Sequence, residues 1–462
     1  MTSIPSLKKQ KVQLQDYDYQ GDIASRRMLA NISVVEVEIL EEILFNRLEI
    51  PLSRLEKSFP DLPDGELYRI LEKLAPLQLY KLSDSSIQVD KEKRKYYETQ
   101  LVKFDENFRP DMDSLLHLLK KVPIHILPVW YSISRSSNNI FESILDKFLS
   151  TPQIYQRHLA EMSSIDPIFA SIIQDVFSAE NGMVYAEEIQ KKYGLSHEEF
   201  HEYVLYLEFH FICTLGYTRT GDFWEEILTP FYEWKAFTNH IEETKPEPIQ
   251  QKERIQQEKP NPFAFVEDMN ALLLQAANSP FALQEDAILQ MVHMEKSPFS
   301  TVYVNQVLEK IIQLQLGSNQ EGVLIPSEHG LEFTSMNSET KALYLYRHPL
   351  NCIAVKSPEK WQEKHQREVE KALKYFIDYD WIFFDAFVAS SMIAFREEQK
   401  VVLTKKGGKQ WRYLLPSYSE EDVTAIKACI FEGLFACGFV HTGILHNKPC
   451  FSLTNFGKTF FG

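Results

Sequence analysis

The segment 196–212 reads SHEEFHEYVLYLEFHFI, and its second to sixth letters fit H-E-x-x-H. On a helix this spacing sets His197 and His201 one turn apart on one face, where both imidazoles can bind zinc and Glu198 can act as base on a metal-bound water. Glu226, in DFWEEIL, stands far enough along to serve as a third ligand. The neighbouring letters favour another role. Ser196 and Glu199 form an S-x-x-E capping box, which puts His197 in the first turn of its helix. Glu199 and Glu202 carry charge beside the proposed metal position. Phe200, Tyr203, Val204, Leu207 and Phe211 draw an apolar stripe, with His197 and His201 toward its edge. The sequence therefore predicts a capped structural helix without metal, and keeps a zinc metallopeptidase using His197, His201 and Glu226 as a second alternative.

A basic run, TKKGGKQWRY at 404–413, supplies the candidate nucleic-acid site: Lys405, Lys406, Lys409 and Arg412 around two glycines and Trp411. Cations on such a loop can follow a phosphate backbone while the indole stacks on a base. The competing reading is an exposed hairpin kept soluble by its lysines. KEKRK at 91–95 falls where a helix should begin and reads as solvated helix surface. Cys429, Cys437, His441, His446 and Cys450 lack the short paired spacing of structural zinc sites, and at least one of the two helical cysteines reads as a small core residue. There is no G-x-S-x-G elbow, no G-x-G-x-x-G fingerprint and no G-x-x-x-x-G-K-[ST] loop. No enzyme activity and no cofactor are expected.

The elements that carry these residues repeat. From residue 34, VVEVEILEEILF, LSRLEKSF and GELYRILEKLAPLQL have helical periodicity, and YKL and IQV flank the turn letters SDSS. Three helices and a hairpin make one winged-helix unit. The order returns from Asp166 (PIFASIIQDVFS, VYAEEIQKKYG, the 196–212 stretch, then GYTRTGD with turn composition) and again near the end (KALKYFIDY, WIFFDAFVASSMI, EEDVTAIKACIFEGLFACG, FVHTGILHNKPCFSL). A degenerate copy is read over 265–333. The predicted fold is mostly α with short β-hairpins, as tandem winged-helix repeats. Its divisions are an N-terminal arm 1–33, a unit 34–105, a helical connector 106–165, a unit 166–240, a polar linker 241–262, a degenerate unit 263–350 and a C-terminal unit 351–462.

The closing run IFEGLFACGFVHTGILHNKPCFSLTNFGKTFFG resembles the close of bacterial helicase-associated proteins, which are similar to the N-terminal domain of XPB-type helicases. Leu453, Thr454, Gly457 and Phe461 match that pattern, and YDWIFFDAF and TPFYEW also resemble it. The resemblance implies a winged-helix fold and a DNA-transaction context, and carries over no functional residue.

A net charge of −16 over 462 residues, with 25% charged residues, weighs against attachment to nucleic acid or anionic membrane by charge alone. No Lys or Arg occurs between Tyr193 and Thr218, where a groove-reading third helix would need them. Five cysteines without a C-x-x-C pair, no apolar signal segment and no long apolar run predict a cytoplasmic chain. The function expected is a non-enzymatic interaction scaffold with protein partners. A weak, sequence-tolerant DNA-binding protein is the alternative.

Overall fold

A computed structural model describes residues 11–30, 32–135, 139–179, 182–295, 298–348, 359–406 and 410–462. They are mostly helical, with short antiparallel hairpins. Among the described residues one order of elements, helix, short strand, helix, helix, hairpin, occurs three times, and a fourth time without the short strand. The first copy runs Val34–Phe45, Glu49–Pro51, Leu52–Ser58, Glu66–Leu74 and the strands Tyr80–Leu82 and Ser86–Val89. The second runs Pro167–Ser178, Val184–Tyr185, Ala186–Tyr193, His197–Phe209 and the strands Cys213–Thr220 and Phe223–Pro230. In the third, helices Ala264–Asn278, Glu285–Met291 and Pro298–Gln313 precede strands Gly317–Gln320 and Val323–Pro326. The fourth runs Glu359–Leu373, Ile382–Phe383, Phe384–Ser390, Glu420–Ala428 and strands Val440–Leu445 and Lys448–Leu453.

The pairing repeats along with the order. In the first, second and fourth copies the short first strand pairs antiparallel with the last strand of the hairpin, giving the spatial order first, third, second. The third copy keeps this contact as a single bridge between Ala282 and Val323. Each third helix ends at a residue with positive φ: Gln78 (57°), Phe211 (64°), Gln315 (55°) and Gly438 (72°). This left-handed residue turns the chain out of the helix, and three copies close it with a bond to the carbonyl five residues back, from Ile212, Leu316 and Phe439 N–H. Past the hairpin, Asp90, Ser327 and Thr454 donate their N–H to the carbonyl of Leu79, Leu316 and Phe439 at 2.7, 2.9 and 3.0 Å. The same three residues cap the next helix with their side chains. Turn, hairpin and cap thus form one joint used repeatedly.

The chain divides into two units, Met1–Asn239 with Val402–Tyr413, and His240–Val401 with Leu414–Gly462. The division falls beside the polar stretch predicted to separate the halves. Three expectations need correction. The strand-to-strand segment 403–413 lies between the second and third helices of the fourth copy in sequence, yet belongs to the first unit; Tyr413 OH donates to Leu149 O at 2.8 Å and Leu403 N–H to Ser150 O at 2.8 Å. Residues 241–262 are not a solvated linker. Their few apolar letters suffice to anchor them: Ile249 and Ile255 are buried with Trp381, Leu445 and Cys450, and Gln256–Gln257 pairs with strand Val440–Leu445. Among the described residues of the N-terminal arm, Tyr19–Leu29 is a helix whose Arg26 is buried. GYTRT continues strand Cys213–Thr220, and the turn falls at Gly221 and Asp222.

In the second unit one contiguous core joins the third and fourth copies, from Phe265, Met269 and Leu273 to Ile430, Phe439 and Phe451. Among the described residues no helix is long and apolar enough to cross a membrane.

Candidate metal centre and basic hairpin

Helix His197–Phe209 begins as its sequence predicts. Ser196 Oγ accepts the Glu199 N–H at 3.2 Å, and the Glu199 carboxylate accepts the Ser196 N–H at 2.9 Å. Its burial differs from expectation. Every residue from Phe200 to Phe209 is buried, because strand Cys213–Thr220 and helices Tyr19–Leu29 and Met112–Leu119 pack around it. His201 is therefore 0% exposed instead of at the edge of a stripe. A helix enclosed on all sides shows no polar face from which the stripe's edge could be read.

Strand Phe223–Pro230 brings Glu226 to the two imidazoles. The Nε2 atoms of His197 and His201 are 3.3 Å apart, and Glu226 carboxylate oxygens lie 3.5 Å from His201 Nε2 and 3.9 Å from His197 Nε2. These ligand atoms form the one metal-competent cluster of His, Cys, Asp and Glu found among the described residues. Glu226 is 7% exposed and its Oε1 has no hydrogen-bond partner, and neither do the buried Nδ1 atoms of His197 and His201. Burial, and then the neighbouring His201, make His197 harder to protonate, against the pull of Glu226. Glu198 stays exposed in the same turn.

No family model matches this chain, and neither does any curated protein or solved structure.

A second polar cluster escaped the sequence reading. Arg26, 1% exposed, meets Glu208 at 2.6 Å and Asp22 at 3.4 Å. Lys121 Nζ reaches Asp22 at 2.9 Å, and Lys103 Nζ lies 3.8 Å from Glu208. Tyr96 OH donates to Asp22 at 2.7 Å, while Thr214 OH and Leu215 N–H donate to Glu208 at 2.7 and 3.1 Å. Burial alone would raise Glu208, but Arg26 and Lys103 hold its carboxyl down at about 2. Burial pulls the Lys103 ammonium down to about 8, against the attraction of Glu208. Lys103, Lys121, Glu208 and Thr214 line a cavity of about 670 Å³. The sequence signal was the i, i+4 pair Asp22 and Arg26; Glu208 stood 182 residues away inside an apolar run.

The basic run forms strands Leu403–Lys406 and Gln410–Tyr413, with Lys405 opposite Trp411 and Thr404 opposite Arg412. Gly407, Gly408, Lys409 and the Lys406 side chain lie outside the described residues. Lys405 pairs with Asp113 at 3.2 Å and lies over the Trp411 ring at 5.8 Å. Trp411 stands edge to face with Phe141 at 6.3 Å, and its Nε1 is buried. The indole expected to stack on a base is thus packed against protein, because the antiparallel register turns Lys405 and Trp411 to the same side. Arg412 is exposed. Lys91, Lys93 and Lys95 are exposed on a helix capped by Asp90, as expected for a solvated surface. Cys429, Cys437 and Cys450 are buried, and among the described residues they join no metal-competent group with His441 or His446.

Proposed function

We propose that the chain is a non-enzymatic scaffold of four winged-helix units whose third helices face protein partners instead of DNA. The recurring order, the first-third-second strand pairing and the repeated joint support the winged-helix assignment. With that assignment goes the resemblance at Leu453, Thr454, Gly457 and Phe461, and a setting near a DNA transaction by analogy.

One observation carries the partner class: taken together, the exposed positions of the third helices hold no surplus of cations. In the first copy they are Tyr68, Arg69, Glu72 and Lys73, where Arg69 pairs with Glu66 and Lys73 with Glu36. The second copy's helix is enclosed from Phe200 to Phe209. Val302, Asn305, Glu309, Ile312 and Gln313 are exposed in the third, and Glu420, Glu421, Thr424 and Lys427 in the fourth. A helix in the major groove needs donors for base edges and cations for flanking phosphate. Tyr68, Val302 and Ile312, exposed by 44, 51 and 41%, suit a protein surface better.

Titration of labelled duplex DNA tests this reading. Of the four cations in 404–413, Lys405 is held by Asp113. The three others allow a salt slope of only about −3 in log affinity per log salt. With the net charge of −16 opposing approach, binding near physiological salt should be weaker than about 10 μM, among the weaker non-specific affinities. Submicromolar binding abolished by changing Lys405, Lys406, Lys409 and Arg412 to Glu would establish the DNA-binding alternative instead.

A second reading, a metal-dependent hydrolase acting through His197, Glu198 and His201, is favoured by the convergence of both imidazoles with Glu226. The enclosed helix and its first-turn position weigh against it.

A further inference from the structure

We propose that His197 Nε2, His201 Nε2 and a Glu226 carboxylate oxygen bind a divalent metal ion of the zinc class, which ties the first turn of helix His197–Phe209 to strand Phe223–Pro230. The spacing carries the argument. Zinc bonds of about 2.0–2.1 Å at tetrahedral angles put donor atoms roughly 3.3–3.4 Å apart. The two Nε2 atoms are 3.3 Å apart, Glu226 Oε1 lies 3.5 Å from His201 Nε2 and the other oxygen, Oε2, 3.9 Å from His197 Nε2, and one ligand atom from each residue lies within 4.8 Å of the others. A hydrogen-bonded trio would sit closer, at about 2.9–3.0 Å for nitrogen donors.

Proton counting gives the same answer. With a proton on each Nδ1, three lone pairs converge and only a cation can satisfy them together. With a proton on one Nε2 instead, it can serve one neighbour, and the remaining acceptors still face each other. Glu226 Oε1 is already a buried oxygen without a donor, an expensive arrangement for a carboxylate. Two imidazoles and one carboxylate select zinc-like ions over magnesium or calcium, which prefer all-oxygen sites. The carboxylates of Glu226, the exposed Glu198 and the half-buried Glu199 offset the positive end of the helix, which otherwise repels a cation. Neither Nδ1 finds an acceptor. Sites lacking that support bind metal roughly 10–100-fold more weakly, so the site should exchange its ion. Three protein ligands leave a fourth position, on the side where the His197 side chain is 31% exposed.

The test is metal content of the full chain purified without chelator, followed by titration with cobalt(II), whose visible absorption reports a tetrahedral site. One equivalent of zinc or cobalt per chain is expected, with a rise in melting temperature on adding zinc. His201 is fully buried, so the deciding variants are His197→Gln, at the half-exposed ligand, and the isosteric Glu226→Gln. Each should fold, lose the bound equivalent and lose the zinc-induced melting shift. A chain that takes up no zinc or cobalt, or a doubly substituted chain that binds like the parent, overturns the proposal. Peptide hydrolysis by the zinc-loaded chain that disappears in Glu198→Gln would support the site while overturning the non-enzymatic reading, so the two can fail separately.

Discussion

Glu208→Ala should destabilise the chain by about 3–5 kcal/mol, the loss expected when one partner of a buried ion pair is removed and the other stays behind. Arg26 is 1% exposed and its Nη1 already lacks a hydrogen-bond partner, so without Glu208 the guanidinium would retain only Asp22, at 3.4 Å. Thr214 OH and Leu215 N–H would lose their acceptor as well. Urea denaturation at neutral pH measures the effect, and a loss below about 1 kcal/mol would show that the cluster is not a buried charge network. The pH dependence has a definite sign. The folded carboxyl of Glu208 is held at about 2, below its unfolded value. Its contribution is complete above the usual carboxylate range and is lost as pH falls toward about 2. Glu208→Ala should therefore flatten the acid limb of the stability curve. Lys103 also makes stability rise with pH, but in the alkaline limb and as a cost: with a folded value near 8, that cost is fully present below that pH and is relieved as pH rises toward the ordinary lysine value.

The second large effect tests the repeated joint. Gly330 and Gly457 occupy matching places three residues after the capping Ser327 and Thr454, and their N–H groups donate to those side chains at 3.0 and 2.9 Å. A Cβ at either position would overlap a backbone carbonyl, that of Leu316 at Gly330 and that of Phe439 at Gly457. These are the carbonyls that accept the Ser327 and Thr454 N–H groups. Since backbone cannot swing aside as a side chain can, Gly330→Ala and Gly457→Ala should each cost about 3 kcal/mol, at the upper end for overpacking. Thermal denaturation should show losses of similar size at the two sites. A neutral result at one and a large one at the other would mean that the copies do not share this joint.

The sequence showed local features more readily than distant ones. Capping at Ser196 and Glu199, the starts of helices at Val34, Pro167 and His197, and the hairpins after the third helices all depend on neighbours a few residues apart. Three features depended on distant chain. Glu208 is a single acid inside an apolar run, and its partner Arg26 lies on the N-terminal helix. Segment 403–413 reads as a free basic loop, yet Asp113, Phe141 and Leu149 receive it. In 241–262 Ile249 and Ile255 are outnumbered by polar letters, and two isoleucines are enough to fix the stretch. The candidate ligands were visible as letters. What the letters could not supply was the hairpin register that sets Glu226 beside His201, since one residue of slip would have turned its side chain to the other face.

The surface that the third helices offer decides the class of partner. The measurement is quantitative cross-linking of the tagged full chain to its partners in its own cell, after complete nuclease digestion, for the parent and for a Tyr68→Glu, Val302→Glu, Ile312→Glu variant. Cross-links that survive nuclease, fall on the exposed faces of helices Glu66–Leu74 and Pro298–Gln313, and disappear in a variant that folds normally are the predicted result. Partners that vanish with the nucleic acid and are unaffected by the three substitutions would contradict it.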